Sequence, residues 1–330
     1  MTLERRRVAA AFATQPVAAS AANSMLPRGN AVDAVCAGAF AAAAESPGVL
    51  FGPVHLLVAG PGLGLRAIDG RLAQPGAGVP RPRGFVSEKE IPAAARCAVP
   101  AMPAALATAL TMFGSATLRR AMGPALEIAR AANPGRFALL DAISKRGAFA
   151  LAEERFLSAL VAAAGALAGG IFSKEDLGAL KIDVAATVDH DGWAVAPFFD
   201  PDAEGGERCH VVCAADGRGI VAALGYELEE EGLAIDELGI VAPLRGLPVM
   251  RGERRTSPGT ILPAPSSIAL LGKGEGALGL GAQPRAASRL AAAMADHTRG
   301  APLDQVLRAR APSAAALRSP RGASGYSFTP

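Results

Sequence analysis

The stretch Asn30–Glu45 reads Asn-Ala-Val-Asp-Ala-Val-Cys-Ala-Gly-Ala-Phe-Ala-Ala-Ala-Ala-Glu, and it decides what kind of fold this chain can form. Asn30 suits a helix N-cap, because its side-chain oxygen can accept a hydrogen bond from the free N–H groups of the first turn. Residues 31–45 are apolar almost all round, so a helix formed there has no face suited to water. We therefore predict that this helix is buried on several sides, in the core of a layered fold.

Other segments supply the layers that cover this helix. Helices are predicted, from apolar residues at helical spacing and from proline and capping signals, over 16–26, 103–113, 117–132, two parts of 137–168, 174–180, 286–297 and 302–308. Strands are predicted over 55–59, 65–68, 184–188, 193–199, 211–214, 219–224, 261–262, 267–271 and 277–280. Antiparallel hairpins covered by buried helices favour an α+β sandwich over a doubly wound parallel sheet.

Two other segments have simpler interpretations. Gly60–Gly64 is glycine-rich but is not followed by a helix, so it does not fit a dinucleotide-binding loop. Residues 312–330 contain Pro, Gly, Ser and Arg and little hydrophobic content. That composition predicts a tail that is mobile or wrapped on the surface.

Composition excludes several classes of function. The 330 residues include 33 basic and 30 acidic side chains, a balance that gives no basic surface for nucleic acid. No apolar run reaches the ~20 residues that cross a bilayer, so no membrane association is expected. The four histidines lie far apart and show no metal-ligand spacing, so we expect neither a metal nor a cofactor.

The cysteines and the N-terminus indicate a cytoplasmic protein. The four cysteines show no Cys-x-x-Cys spacing, and a chain of reduced thiols fits the cytosol. Arg5–Arg7 precedes a short apolar run, as in an export signal, but Thr14–Pro16 interrupts that run. We therefore interpret the N-terminus as part of the folded domain and not as a signal peptide.

The stretch Gly205–Gly217 is the strongest candidate for chemistry. It reads as a glycine-loosened loop, a short apolar strand and an Asp-Gly turn. Cys209 and His210 combine a thiol with an imidazole, the pair that serves as nucleophile and base in covalent catalysis. The same residues also fit a small core thiol and a histidine on a strand, so both interpretations stay open.

Six segments, in order, resemble the gamma-glutamyltransferase (gamma-glutamyltranspeptidase) family. The segments are Arg28–Ala34, Glu45–Pro47, Asp69–Arg71 with Pro75, Val99–Leu106, Pro124–Arg130 and Gly169–Leu177. Weaker similarity continues through Arg254–Ser267 and Leu278–Arg289. The resemblance implies an N-terminal-nucleophile hydrolase fold, which is a four-layer αββα sandwich. It also implies that residues 1–206 correspond to the large subunit and 207–330 to the small subunit, joined in one globular domain.

The family's activity is also implied by the resemblance. Members cut their own chain before a threonine, which then attacks a gamma-glutamyl amide and passes the acyl group to water or an amino acid, as in glutathione metabolism. Arg71 matches the arginine that binds the substrate carboxylate, although a loop carbonyl is an equally good partner for it. The family's paired nucleophile threonines are absent here. Depending on the alignment, the nucleophile falls on Glu207, Arg208 or Cys209.

Two further elements of the family's site are changed. The glycine pair of the oxyanion segment is replaced by Arg285 and Ala286, and the Ser-Ser-Met loop reads Gly259–Leu262. The ligands of the substrate amine, expected between residues 224 and 245, have no clear match. The chain is also shorter than ordinary members.

Three hypotheses follow from these departures. The first is a degenerate, uncleaved member without gamma-glutamyl transfer activity, which acts as a structural or regulatory subunit or binds a small molecule. Its partners are then another protein, a second copy of the chain, or a gamma-glutamyl or other amino-acid-like ligand. The second is an active amide hydrolase or gamma-glutamyl acyltransferase with Cys209 as nucleophile after cleavage at Arg208–Cys209. The third is a different activity or fold.

Overall fold

Two antiparallel sheets of six strands each form the centre of the protein. The structure is a computed structural model, and it describes residues 8–80, 82–202, 209–229, 231–273, 276–282, 287–320 and 322–328. The strands are β1 (Ala10–Ala13), β2 (Val54–Gly60), β3 (Gly64–Gly70), β4 (Asp183–Ala186), β5 (Val188–His190), β6 (Trp193–Val195), β7 (Cys209–Ala215), β8 (Val221–Glu227), β9 (Leu233–Ile235), β10 (Ile240–Ala242), β11 (Ile268–Lys273), β12 (Gly276–Ala282), β13 (Ser313–Ser319) and β14 (Gly322–Phe328).

The order of strands shows that distant parts of the chain share each sheet. The first sheet has the order β1-β7-β8-β2-β3-β4 and the second β14-β13-β12-β11-β6-β5, while β9 and β10 form a separate pair. β7 and β8 thus lie between β1 and β2, which come from the first fifty residues or so of the described chain. The predicted boundary between residues 206 and 207 lies outside the described residues.

Helices cover the outer face of each sheet. They are α1 (Pro16–Met25), α2 (Ala31–Glu45), α3 (Met102–Phe113), α4 (Leu118–Ala121), α5 (Gly123–Ala132), α6 (Pro134–Arg146), α7 (Glu154–Ala164), α8 (Lys174–Ala179), α9 (Ala287–Thr298) and α10 (Leu303–Arg308). The predicted helix 117–132 is divided into α4 and α5 at Met122. No helix in the described ranges is long and apolar enough to cross a membrane.

Three apolar layers hold these elements together. One lies between α1–α7 and the first sheet and contains Phe40 and Leu224. The second lies between the two sheets and contains Leu57 and Val211. The third packs the second sheet against α9 and α10. The order helix, sheet, sheet, helix confirms the predicted α+β sandwich.

Helix α2 is buried as its sequence predicts. All its residues from Ala31 to Ala44 are buried. The side chain of Asn30 accepts hydrogen bonds from the N–H groups of Val32 and Asp33, and the carboxylate of Asp33 accepts one from Asn30 N–H at 2.7 Å. This capping box satisfies N–H groups that water cannot reach.

Asp33 also connects α2 to the loop after α3. Its carboxylate accepts hydrogen bonds from the backbone N–H and hydroxyl groups of Ser115 and from Ala116 N–H. At the other end of α2, Nη1 of Arg136 donates to the carbonyls of Ala44 and Glu45, both at 2.8 Å. A charged side chain therefore lies at each end of the buried helix, Asp33 at its start and Arg136 at its end.

The interpretation of residues 312–330 as a surface tail is wrong for the described part of that segment. Ser313–Ser319 and Gly322–Phe328 are the strands β13 and β14. Ala314, Ala315 and Ala316 are fully buried, because small side chains are what fits where sheets and helices approach closely. Low hydrophobic content therefore did not indicate mobility in this segment.

The run Ala10–Ala13 is another element that the sequence did not reveal. It forms β1, which pairs antiparallel with β7 so that Phe12 lies opposite Cys213. Its four residues are too few to show the alternation of apolar and polar side chains that marks a strand.

The Asp33 network gives a stability prediction. Asp33→Ala leaves the buried N–H of Asn30 and the partly buried N–H groups of Ser115 and Ala116 without their acceptor. It should therefore lower the free energy of unfolding by about 3–5 kcal/mol. Urea titration followed by circular dichroism measures this difference.

Glu127→Ala is the matched control, because Glu127 also lies on a helix but is exposed. It should change the free energy of unfolding by less than about 0.5 kcal/mol. Equal stability of the two variants would mean that Asp33 is not needed to close α2.

Candidate functional site

The start of β7 separates the two candidate catalytic side chains. Successive side chains of a strand point to opposite faces. Cys209 therefore points between the two sheets, as do Val211 and Cys213, whereas His210 points toward the helical layer. The structure does not bring the thiol and the imidazole together.

Cys209 contacts the carboxylate of Glu227 instead of the imidazole of His210. It is 2% exposed, and its Sγ lies 3.9 Å from Oε1 of Glu227 on the neighbouring strand β8. Burial, and then the negative charge of Glu227, raise the pKa of the Cys209 thiol well above its usual range, while Arg245 and Ser267 oppose this rise. Because the thiolate is the nucleophilic form, Cys209 in this setting is poorly suited to attack a carbonyl.

Glu227 is itself held by a cation. Its Oε2 accepts a hydrogen bond from Nη2 of Arg245 at 2.6 Å, and Arg245 also lies 3.9 Å from Glu229. Burial raises the pKa of Glu227, and Arg245 opposes that rise. We call Cys209, Glu227, Arg245 and Ser267 the Cys209 cluster.

His210 takes part in a separate network on the helical side. Its Nδ1 lies 3.2 Å from Oγ1 of Thr14, and its ring stacks on Tyr226 with centroids 5.8 Å apart. Val211 N–H donates to the same Thr14 oxygen, which leaves the Thr14 hydroxyl free to donate to Nδ1 of a neutral imidazole. Burial lowers the pKa of His210 to about 4, in agreement with that neutral form.

Arg71 bonds a carboxylate, and not a loop carbonyl. Its Nε and Nη2 donate to Asp69, with the shortest distance 2.7 Å, and its guanidinium carbon lies 3.8 Å from the centre of the Phe198 ring. Arg71 follows β3, three strands away from β7. With strands about 4.8 Å apart, Arg71 and Cys209 are separated by roughly 14 Å, so they share no contact.

Arg71 lines two cavities. The large cavity has a volume of about 570 Å³ and is lined by Asp69, Arg71, Ala73, Gln74, Val99, Asp176, Ala179, Leu180, Lys181, Ile182, Asp183, Gly259 and Ile261. The small cavity, of about 270 Å³, is lined by Ala67, Asp69, Arg71, Asp183, Ala185, Pro197 and Phe198. The two cavities share three charged residues, Asp69, Arg71 and Asp183, so they meet at the edge of the first sheet.

His55 is a buried polar residue that the sequence did not assign to a site. It is 4% exposed, its ring lies 4.8 Å from that of Phe198, and its Nε2 has no hydrogen-bond partner among the described residues. Burial lowers the pKa of His55 to about 4. Asp69, which lies opposite His55 on the neighbouring strand β3, acts to raise that pKa.

Glu227 and Ser267 are further contacts of Cys209 that the sequence did not assign. Glu227 lies within residues 224–245, where the resemblance implies the ligands of the substrate amine. Its signal in the sequence is an acid that ends an apolar strand. Ser267 precedes β11 on the other sheet, and its relation to Cys209 depends on how the sheets pack.

Several predicted site residues lie outside the described residues, namely Glu207, Arg208, Arg285 and Ala286. In the segment Gly259–Leu262, Gly259 and Ile261 line the large cavity. Among the residues that the structure describes, no group of three or more His, Cys, Asp or Glu side chains is placed to hold a metal ion.

Comparison with known proteins defines the class of fold. No protein-family model and no curated protein matches the sequence. Cephalosporin acylase from Bacillus halodurans aligns over 100% of this chain and 97% of its own, with a TM-score of 0.69 and 15% identity. The structure of LmbA2991HD aligns over 100% of this chain and 99% of its own, with a TM-score of 0.66 and 14% identity.

The chain therefore has the N-terminal-nucleophile hydrolase fold, as the resemblance implied. Gamma-glutamyltranspeptidase from Helicobacter pylori is also among its structural neighbours. It aligns with a TM-score of 0.48 and 18% identity, over 61% of this chain and 72% of that chain. At 14–15% identity, the likeness to the cephalosporin acylase and to LmbA2991HD establishes a shared fold and no activity.

The two buried histidines give a prediction of pH dependence. In the unfolded chain a histidine has a pKa of about 6.5, so on acidification the unfolded state takes up protons before the folded state does. The pKa values of His55 and His210 are both lowered to about 4. Their contribution to stability is therefore complete above pH 6.5 and is lost as the pH falls toward 4. Each histidine should therefore lower the free energy of unfolding at pH 5 by roughly 2 kcal/mol relative to neutral pH.

Urea titrations at pH 7.5 and 5.0 measure this loss. His210→Gln should reduce the difference between the two pH values by about half, whatever its effect on stability at pH 7.5. A His210→Gln variant that loses as much stability between these pH values as the wild type does would contradict the lowered pKa of His210.

Proposed function

We propose that this protein is an uncleaved, catalytically inactive member of its fold class, which binds a small amino-acid-like molecule and acts as a regulatory or structural subunit. The observation that carries the proposal is the position of Cys209. Its thiol is buried beside Glu227, and the adjacent imidazole of His210 is on the other face of the strand. The most plausible nucleophile of the chain thus lacks an imidazole in contact with it, and the carboxylate that it does contact raises the pKa of its thiol.

Electrostatics also argue against acyl transfer. An acyl-transfer site stabilises a developing negative charge with N–H donors or cations. The carboxylate of Glu227 accepts a hydrogen bond from the Cys209 thiol, and its negative charge raises the thiol pKa. The cation of the cluster, Arg245, already pairs with Glu227.

Ligand binding is supported by the cavities at Arg71. A volume of about 570 Å³ lies within the range of ligand sites, which are mostly apolar with a few polar groups that orient the ligand. The large cavity has both signs of charge, from Lys181 and from Asp183, and apolar walls that include Val99 and Ile261. This combination suits an amino-acid-like molecule.

A second candidate function is an amide hydrolase or gamma-glutamyl acyltransferase with Cys209 as an N-terminal nucleophile. The observation that favours it is the place of Cys209 as the first residue of β7. Cleavage at Arg208–Cys209 would create an ammonium group close to Glu227, which would offset the negative charge that now raises the thiol pKa.

Processing and thiol reactivity distinguish the two candidates. The purified protein should give one intact mass of 33.3 kDa and release no product from a gamma-glutamyl anilide. Iodoacetamide should alkylate Cys209 much more slowly in the native protein than in urea, because the thiol is buried and protonated. Peptide mass mapping identifies the modified residue, with Cys209→Ser as the control.

Other results would favour the second candidate. Fragments that begin at Cys209, together with anilide turnover that Cys209→Ser abolishes, would overturn the proposal of an inactive protein. Fast alkylation of Cys209 in the intact native chain would contradict its buried position.

A further inference from the structure

We infer that Lys181 and Asp183, and not Arg71, recognise the ligand of the large cavity, and that this ligand is a small zwitterion with an apolar body. The inference deepens the ligand-binding part of the proposed function and rests on it. It does not depend on whether the chain is cleaved.

Arg71 is not free to bind a carboxylate. Two of its nitrogens donate to Asp69, and Phe198 covers the face of its guanidinium group. A ligand carboxylate would have to compete with Asp69, whose charge is already paired and half-buried. The Asp69–Arg71 pair therefore acts as a fixed wall between the two cavities.

The other polar side chains in the wall of the large cavity are also engaged. The carboxylate of Asp176 accepts hydrogen bonds from the N–H groups of Gly76, Ala77 and Ser173. The amide of Gln74 both donates to and accepts from the backbone of Leu247. These groups hold loops together and have little capacity left for a ligand.

Lys181 and Asp183 differ from all of these residues. Both line the large cavity and both are exposed. Neither side chain has a hydrogen bond or an ion pair with another described residue. They are therefore the two charges that a ligand can neutralise without breaking an existing contact.

The signs of the two charges define the class of ligand. A dicarboxylate would pair with Lys181 but would be repelled by the negative charge of Asp183. A simple amine would pair with Asp183 but would be repelled by the positive charge of Lys181. A zwitterion satisfies both. The remaining wall includes the apolar side chains of Val99, Ile182 and Ile261, and these suit the apolar body of such a ligand.

Three compounds test this recognition by isothermal titration calorimetry. L-phenylalanine has both charges and an apolar body, L-phenylalaninamide lacks the carboxylate, and N-acetyl-L-phenylalanine lacks the ammonium group. The wild-type protein should bind L-phenylalanine about tenfold more tightly than either derivative, since each derivative loses one charge-assisted contact.

The variants assign each contact to a residue. Lys181→Ala should weaken binding of L-phenylalanine to the level of the amide and leave binding of the amide unchanged. Asp183→Asn should weaken binding of L-phenylalanine to the level of the N-acetyl compound and leave binding of the N-acetyl compound unchanged. Lys174→Ala is the matched control, because it removes the same charge from an exposed residue of α8 outside the cavity wall. It should bind all three compounds as the wild type does.

Three outcomes would overturn the inference. The first is that the wild type binds none of the three compounds. The second is that Lys181→Ala keeps the wild-type preference for L-phenylalanine. The third is that Arg71→Gln loses this preference while Lys181→Ala retains it. Melting temperatures measured alongside show that each variant is folded. Catalytic activity would be a separate result, because it would be detected as chain cleavage and turnover of the gamma-glutamyl anilide.

Discussion

A helix with no polar face can be buried on every side only if its two ends find hydrogen-bond partners inside the protein. The free N–H groups at the start of α2 are satisfied by Asn30 and by Asp216, which accepts from Ala31 N–H at 3.1 Å. The free carbonyls at its end are satisfied by Arg136. Each unsatisfied group would cost roughly 1–3 kcal/mol, so these partners are a condition for burying α2.

The same contacts hold separate elements in place around the helix. Asp216 also accepts hydrogen bonds from Arg218 and Ile220 N–H, so it shapes the turn between β7 and β8 while it caps α2. Arg136 brings α6 to the helix end, and Asp33 brings the loop after α3 to its start. The position of the strand that carries Cys209 is thus linked to the closure of the central helix.

That strand decides the chemistry available to the candidate site. Cys209 and His210 are adjacent in sequence, and for this reason they were interpreted as a possible pair. On a strand, adjacency places the side chains on opposite faces. The groups that Cys209 meets come from Glu227, eighteen residues later on β8, and from Ser267, which precedes a strand of the other sheet. The pairing of a thiol with an acid is therefore a consequence of strand order and sheet packing.

The sequence by itself determined the central helix, most of the helices and hairpins around it, and the layered class of fold. These follow from local patterns, such as the apolar run of Asn30–Glu45 and its capping residues. The sequence also identified Arg71 and Cys209 as candidate site residues. Only the tertiary structure decided that Arg71 is occupied by Asp69 and Phe198, and that Lys181 and Asp183 remain unpaired among the described residues. It also decided that Ser313–Ser319 and Gly322–Phe328 are strands. The physical reason is that such properties depend on which distant groups share a cavity or a sheet, and no local pattern in the chain specifies those partners.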